Sequence, residues 1–469
     1  MCASPDRPNL LLIMSDEHAP QFAGFHGHPI VKTPHLDRLA AGGVVFDNAY
    51  CNSPICSPSR MSFMTGKYVH HIDLFDNSTA LSSDEPTWAH RMRSVGYDVV
   101  LAGKQHFIGP DQLHGFRAQL ARDLHSDIAH ELYLWSDGIT DAATPWKHME
   151  RAGPGSTPEL DADDQAEEAA LAYLRDPERR AQPWALTASF IAPHFPFIVP
   201  QEYWDMYPVD DIDLPRYVPG SVDDQHPVYQ RMRRMFGLID FPEDTVRRAR
   251  AGYYALITWF DDKVGRLLAA LDETGQRENT IVIYISDHGE MAGEYGMWRK
   301  SNFREHASRI PMVISWPGQL EGGRRITEVT SLIDLVPSML ELTGAPIDDT
   351  LDGHSFLPLL MGDLDGPWKN EAFCEYLAHG VARPMAMLRQ GRFKLNFSLD
   401  DPVELFDLET DPDERLDLSS DPSYAVVREA LRSRLLEHWD PISLEQRVRQ
   451  SQQARRLIAS ALPPPAAYH

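Results

Sequence analysis

The residues able to do chemistry in this sequence gather where short apolar runs end. Asp16-Glu17-His18 follows residues 10–14, and Lys104-Gln105-His106 follows residues 97–102. His194 closes residues 184–191, and Asp287-His288 closes residues 280–285. Any one of these alone reads as a surface polar residue or a satisfied histidine. Four together, at the carboxyl ends of strands in an α/β sheet, read as an active site. Asp16, Asp287 and His288 offer two carboxylates and an imidazole, a set that favours Ca²⁺, Mg²⁺ or Mn²⁺ over a thiolate-held zinc. The plainer reading of the carboxylates is that they cap the helices that follow.

Cys56 opens the run Cys56-Ser57-Pro58-Ser59-Arg60. Pro58 suits an early helical position, Ser57 an N-cap, and residues 59–65 a short helix stopped by Gly66. Cys56 is therefore expected at a helix N-terminus, where partial positive charge favours anions and lowers a thiol's pKa. Arg60, on the first turn, can swing back to the same spot. A bare thiol nucleophile and an inert buried cysteine are the plainer readings. A zinc pair of Cys51 and Cys56 is weaker, because no second cysteine pair exists.

These groups need a scaffold. Residues 10–14, 97–102, 184–191, 280–285 and 310–315 read as near-continuous apolar strands. Residues 34–41, 87–95, 243–273 and 332–342 carry helical patterns between them. This alternation argues for an α/β fold, a mostly parallel sheet sandwiched by helices. Beyond about residue 366 the strands shorten, at 372–376, 385–389 and 392–397, with a Gln390-Gly391 turn. A helix over 424–439 and a polar, Pro-rich tail follow. The expected division is a catalytic domain over 1–365 and a smaller antiparallel α+β domain over 366–469.

The chain has 469 residues, 43% of them hydrophobic, enough for a large buried core. Its formal net charge of -25 disfavours nucleic acid as a partner and obliges any anion-processing site to gather its own cations. No run approaches a membrane span, and the start lacks the basic and apolar regions of an export signal. Four cysteines, Cys2, Cys51, Cys56 and Cys374, are too few for a disulfide framework. A cytoplasmic protein with no membrane partner is expected.

The run Cys56-Ser57-Pro58-Ser59-Arg60-Met61-Ser62-Phe63-Met64-Thr65-Gly66 closely resembles the signature of the type I sulfatases. In that family the signature cysteine is oxidised after translation to formylglycine, so a formylglycine-generating enzyme is an implied partner. Thr33-Pro34-His35-Leu36-Asp37-Arg38-Leu39-Ala40 resembles the family's early helix, and Gly103-Lys104-Gln105-His106 its Gly-Lys-x-His element. Ser286-Asp287-His288-Gly289-Glu290 resembles its second metal segment, and Leu405-Phe406-Asp407-Leu408-Glu409-Thr410-Asp411-Pro412 its C-terminal landmark. The family shares the alkaline-phosphatase-like fold.

The resemblance implies a mechanism. The aldehyde made from Cys56 is hydrated to a geminal diol; one hydroxyl attacks the sulfur of a sulfate ester, and the alcohol leaves. The second hydroxyl loses its proton, and the adduct collapses to sulfate and aldehyde. This route splits one hard displacement into two easier steps. It also implies that Asp16, Asp287, His288 and the modified Cys56 hold one divalent metal, Ca²⁺ before Mn²⁺ or Mg²⁺. Arg60 holds the diol oxygen, Lys104 bridges that oxygen and the sulfate, and His106 is the general base. His194 and Lys300 contact the sulfate and aid the leaving oxygen.

Two departures stand out. Many sulfatases have consecutive aspartates where this chain has Asp16-Glu17, so Glu17 is either a ligand or an orienting group. Many have asparagine where His288 stands; histidine there is familiar from the choline-sulfatase and phosphonate monoesterase branch. The stretch from Lys104 to Phe116 also looks close to the choline sulfatases. A quaternary ammonium, however, wants an aromatic cage and a carboxylate, and Ala378-His379 stands where those enzymes are expected to place an acid. An alkyl or carbohydrate sulfate ester is the favoured substrate, with His379 and Arg383 suited to a polar or anionic leaving group. A phosphonate monoester or phosphodiester hydrolase, choline sulfatase, and a non-catalytic anion-binding protein are the competing readings. The run Leu462-Pro463-Pro464-Pro465 suits a contact in a homo-oligomer, or a free end.

Overall fold

The computed structural model describes residues 7–125, 135, 142, 145–239, 241–363 and 366–461. The Pro-rich run at 462–465 lies outside them. The strand Asn9–Asp16 is buried along its whole length, as its unbroken apolar run requires of a strand covered on both faces. It lies between two parallel neighbours, Thr280–Ser286 on one side and Trp184–Pro193 on the other. Asp98–Gly103 adds to Trp184–Pro193, also in parallel. Four consecutive strands therefore point their carboxyl ends to one edge, the edge that carries the polar residues singled out above.

The sheet is mixed beyond this parallel centre. Residues 310–315, read as one strand, divide into Arg309–Ile310 and Met312–Ser315, and Met312–Ser315 runs antiparallel to Thr280–Ser286. Val44–Tyr50 and Arg324–Ser331, neither of them anticipated as full strands, complete this side. The long helix Glu243–Glu273 and the helix Pro158–Arg175 cover the sheet through the apolar sides of their surfaces.

A separate four-stranded antiparallel sheet is built from Glu371–Tyr376, Met385–Gln390, Phe393–Ser398 and Glu404–Asp407. The segment read as tail forms the helix Pro441–Ala461 instead. Its buried side is only Pro441, Leu444, Val448 and Gln452, a stripe too thin to stand out in sequence. Among the described residues, no helix is long and apolar enough to cross a membrane.

Candidate active site

Asp16 is the last residue of its strand, and Lys104, His194 and Asp287 each follow directly on the last residue of theirs. Gly103 makes the approach of Lys104 possible. A Cβ there would lie 2.1 Å from the carbonyl oxygen of Ser189, at a φ of +94° that favours glycine. Cys56 is the first residue of the helix Cys56–Thr65, which begins three residues earlier than the sequence suggests and has Ile55 at its N-cap.

Asp16, Cys56, Asp287 and His288 converge, each at most 1% exposed. One ligand atom from each lies within 4.8 Å of all the others. His288 Nε2 stands 3.2 Å from Cys56 Sγ, and Cys56 Sγ donates to Asp16 Oδ1 at 3.7 Å. Two carboxylate oxygens and an imidazole nitrogen, gathered in a buried place around a modifiable cysteine, fit a divalent cation that prefers oxygen ligands.

Arg60 is wholly buried beneath this group. Its Nε donates to Asp287 Oδ2 at 2.8 Å and its Nη2 to Asp16 Oδ2 at 2.9 Å. Its Nη1 donates to Lys104 O and Ser189 Oγ, each at 2.9 Å. Four of the five guanidinium hydrogens are thus bound within the protein, two of them on the carboxylates of the cluster. Lys104 Nζ completes the lattice, 2.8 Å from Asp16 Oδ2. Burial raises the Asp16 carboxyl, but Lys104 and Arg60 together hold it well below its ordinary range.

The Cys56 thiol behaves oppositely to the helix-terminus expectation. Burial and then the Asp16 charge push it up to about 12, against the pull of Lys300 and Lys104. Desolvation is the larger effect, because the helix end carries only partial charge while the whole thiol is removed from water.

Glu17 adjoins the cluster through Asp16: one ligand atom from each of Asp16, Glu17 and His194 lies within 4.8 Å of the others. Glu17 Oε2 lies 3.0 Å from Lys300 Nζ and 3.2 Å from His194 Nε2. Burial pushes the Glu17 carboxyl well above its ordinary value, against the pull of Lys300. Lys300 itself is raised: burial lowers it, but Cys56 and Glu17 outweigh that. Glu17 also occupies the left-handed region, as do His106, Arg299 and Ser301, at φ of 67°, 64°, 69° and 78°. Such conformations each cost on the order of 1–2 kcal/mol and persist only where surrounding contacts impose them.

Above Cys56 opens a cavity of about 220 Å³, lined by Cys56, Lys104, His106, His194, Lys300 and His379 among others. Arg383 is not in its wall; it is paired with Asp400 and Glu445. Asn77, His125 and Arg299 line the cavity without having been singled out by sequence. They lie outside the strand ends, and only the folded loops bring them in. Burial, reinforced by His125 and Lys104, holds the His106 imidazole well below its ordinary value, so it is the free base at neutral pH.

A buried cysteine beneath a cationic cavity, at the carboxyl edge of the sheet's parallel centre, makes a place suited to an anionic ester. The family described as Sulfatase matches residues 8–345, and the one described as N-sulphoglucosamine sulphohydrolase, C-terminal, matches residues 293–440. The chain belongs to the sulfatase family and is a sulfuric ester hydrolase. It is 33% identical to the choline-sulfatase of Rhizobium meliloti over 97% of this chain and 91% of that protein. It is 29% identical to an arylsulfatase of Clostridium perfringens over 92% of this chain and 94% of that protein. The crystal structure of the phosphonate monoester hydrolase of Agrobacterium radiobacter superposes with a TM-score of 0.75 at 25% identity, covering 95% of this chain and 96% of that one. The fold is that of the alkaline-phosphatase-like sulfatases.

Proposed function

We propose that this protein hydrolyses the sulfate ester of an alkyl or carbohydrate alcohol, releasing the alcohol and inorganic sulfate, from a nucleophile built on Cys56. The observation that carries the reading is the convergence of Cys56 with Asp16, Asp287 and His288 directly beneath a cavity walled by Lys104, His106, His194 and Lys300. A thiol pushed up to about 12 is a poor nucleophile at neutral pH. Its conversion to formylglycine, by a formylglycine-generating enzyme, supplies an aldehyde hydrate with an oxygen nucleophile in place of that thiol.

Asp16, Asp287, His288 and the modified Cys56 would hold one divalent cation, Ca²⁺ by the hardness of the oxygen set. When bound, the cation lowers the pKa of the nucleophile and neutralises charge on the sulfate oxygens. Arg60 fixes the two carboxylates in place. Lys104 and Lys300 present ammonium groups to the sulfate, and His194 is oriented toward it by Glu17. His106, kept as the free base, takes up the proton. His379 faces the leaving alcohol from the same wall. We place the catalytic unit over 1–365 and the smaller one over 366–469. The free, buried thiols of Cys51 and Cys374, 4.0 Å apart, suit the cytoplasm.

A second reading, phosphonate monoester or phosphodiester hydrolysis at the same groups, is favoured by the likeness to the phosphonate monoester hydrolase structure. Choline sulfate is disfavoured: no carboxylate lines the cavity among the described residues. Mature protein, its Cys56 peptide checked by mass spectrometry for formylglycine, should be assayed on 4-nitrophenyl sulfate, bis(4-nitrophenyl) phosphate and a phenylphosphonate monoester. A kcat/KM about tenfold or more higher on the sulfate is expected. Preference for the phosphorus esters overturns the first reading, and unmodified Cys56 with no hydrolysis overturns both.

A further inference from the structure

We propose that Arg299 is a specificity residue that binds a second anionic group of the substrate, a carboxylate or a second sulfate on the leaving alcohol. The inference rests on the hydrolase reading above and concerns the same cavity.

Three side chains with permanent positive charge line this cavity, Lys104, Lys300 and Arg299. Two of them have a carboxyl partner: Lys104 has Asp16 at 2.8 Å and Lys300 has Glu17 at 3.0 Å. Arg299 has no carboxylate partner among the described residues, and its buried Nε has no hydrogen-bond partner among them. Aromatic rings surround the guanidinium instead. Its central carbon lies 4.6 Å from the ring centre of Phe236, 5.4 Å from that of Phe195 and 5.9 Å from that of Trp146. Ring faces stabilise the cation without satisfying its N–H groups, so the donors of the fork remain available to an anion.

The arrangement is rigid. Glu290 Oε1 accepts from the backbone N–H of Arg299 at 2.7 Å and from that of Ala292 at 2.8 Å, which ties both ends of the loop to one buried carboxylate. Arg299 shares the cavity wall with Lys300. Lys300 and Lys104 are the cations that weigh on Cys56, while Arg299 weighs on His148, His379 and Lys300. His379, also in the wall, is kept neutral by burial, Arg299 and Lys300, so it adds no charge there. A guanidinium without a carboxylate partner, in a wall to which no described residue contributes a carboxylate, repels a cationic alcohol and attracts an anionic one. Arg299 therefore separates anionic alcohols from choline-like ones.

The test compares mature wild-type protein with Arg299→Gln and Arg299→Lys on four esters: phenyl sulfate, 4-carboxyphenyl sulfate, 4-sulfophenyl sulfate and choline sulfate. Wild type should favour one or both of the anionic esters over phenyl sulfate in kcat/KM and turn over choline sulfate worst. The carboxylate and sulfonate arms identify which anion is read. Arg299→Gln should lower kcat/KM on the favoured anionic ester about tenfold to a hundredfold more than on phenyl sulfate, the loss of a charge-assisted hydrogen-bonded contact. Arg299→Lys should recover part of that selectivity, because a point charge replaces a planar fork. An equal fall on all esters, or a wild-type preference for choline sulfate, overturns the proposal. The same charge series built on phenylphosphonate monoesters separates the two readings. If phosphorus esters are the better substrates, the sulfate reading fails, yet an Arg299-dependent preference for the anionic member still upholds the role of Arg299.

Discussion

Arg60 Nε donates to Asp287 Oδ2 at 2.8 Å, and this bond sets the orientation of the whole carboxylate. With Oδ2 engaged, Oδ1 accepts from the backbone N–H of His288 at 2.9 Å and of Glu17 at 3.2 Å and lies 3.6 Å from His288 Nε2. The guanidinium makes the matching contact with Asp16 on its other side. A signature residue that sequence assigns to substrate chemistry is thus also the brace of the proposed metal site.

Arg60→Ala should destabilise the protein by about 3–5 kcal/mol, because two buried carboxylates lose their common counter-charge. Arg60→Lys should recover part of the stability but little activity, since a point charge does not reproduce the fork. Thermal unfolding and metal content by atomic emission would be measured together. Unchanged metal content and Tm in Arg60→Ala would refute the bracing role.

Removal of the divalent cation by a chelator should abolish ester hydrolysis and lower the Tm. Asp16, Asp287 and His288 are buried and crowded, and a ligand present at a hundred times its Kd contributes about 2.7 kcal/mol. Titrating Ca²⁺, Mg²⁺ and Mn²⁺ back into the stripped protein, with Tm and activity read in parallel, identifies the ion. A stripped enzyme of full activity would remove the metal from the proposal.

Glu17→Gln distinguishes a metal ligand from an orienting group. Glu17 holds Lys300 and His194, at 3.0 and 3.2 Å. The variant should keep its metal while kcat/KM falls by about tenfold to a hundredfold, the range of a lost charge-assisted hydrogen bond. Loss of the metal in step with activity would make Glu17 a ligand instead.

His70 gives a pH dependence of stability with a defined sign. Burial lowers its pKa, but Glu375, 2.8 Å away, more than offsets this, so the folded value lies above the ordinary 6.5. The same carboxylate accepts from Trp439 Nε1 at 3.0 Å, which ties this loop to the C-terminal region. A raised histidine stabilises most fully below the unfolded-state pKa, and the contribution fades as pH rises through the folded one. His70→Gln should therefore lower the Tm more at pH 5.5 than at pH 9. An equal or larger effect at pH 9 would contradict the pair.

Much of the scaffold was legible in the residues. Residues 10–14, 97–102, 184–191 and 280–285 were long enough apolar runs to require strands buried on both faces, and each polar residue that followed was carried to the same edge by parallel pairing. The helix over 243–273 was legible because thirty-one residues of periodic apolar spacing outlast any loop. Met312–Ser315 was different: its strand character was local, but its antiparallel direction depended on a partner far along the chain.

The sequence by itself determined the chemistry on offer: the Cys56 signature, the carboxylates and imidazoles at strand ends, and a family that fixes the reaction class. Only tertiary structure decided how those groups are shared. Burial is a property of the whole fold, and it raised the Cys56 thiol where a helix N-terminus alone would lower it. Long-range packing turned Arg60 toward two carboxylates and Glu17 toward Lys300 and His194. It also left Arg299 among aromatic rings, in the cavity wall, without a counter-charge among the described residues. A cation's partners are set by which charges folding brings within a few ångströms, and spacing along the chain carries no record of that.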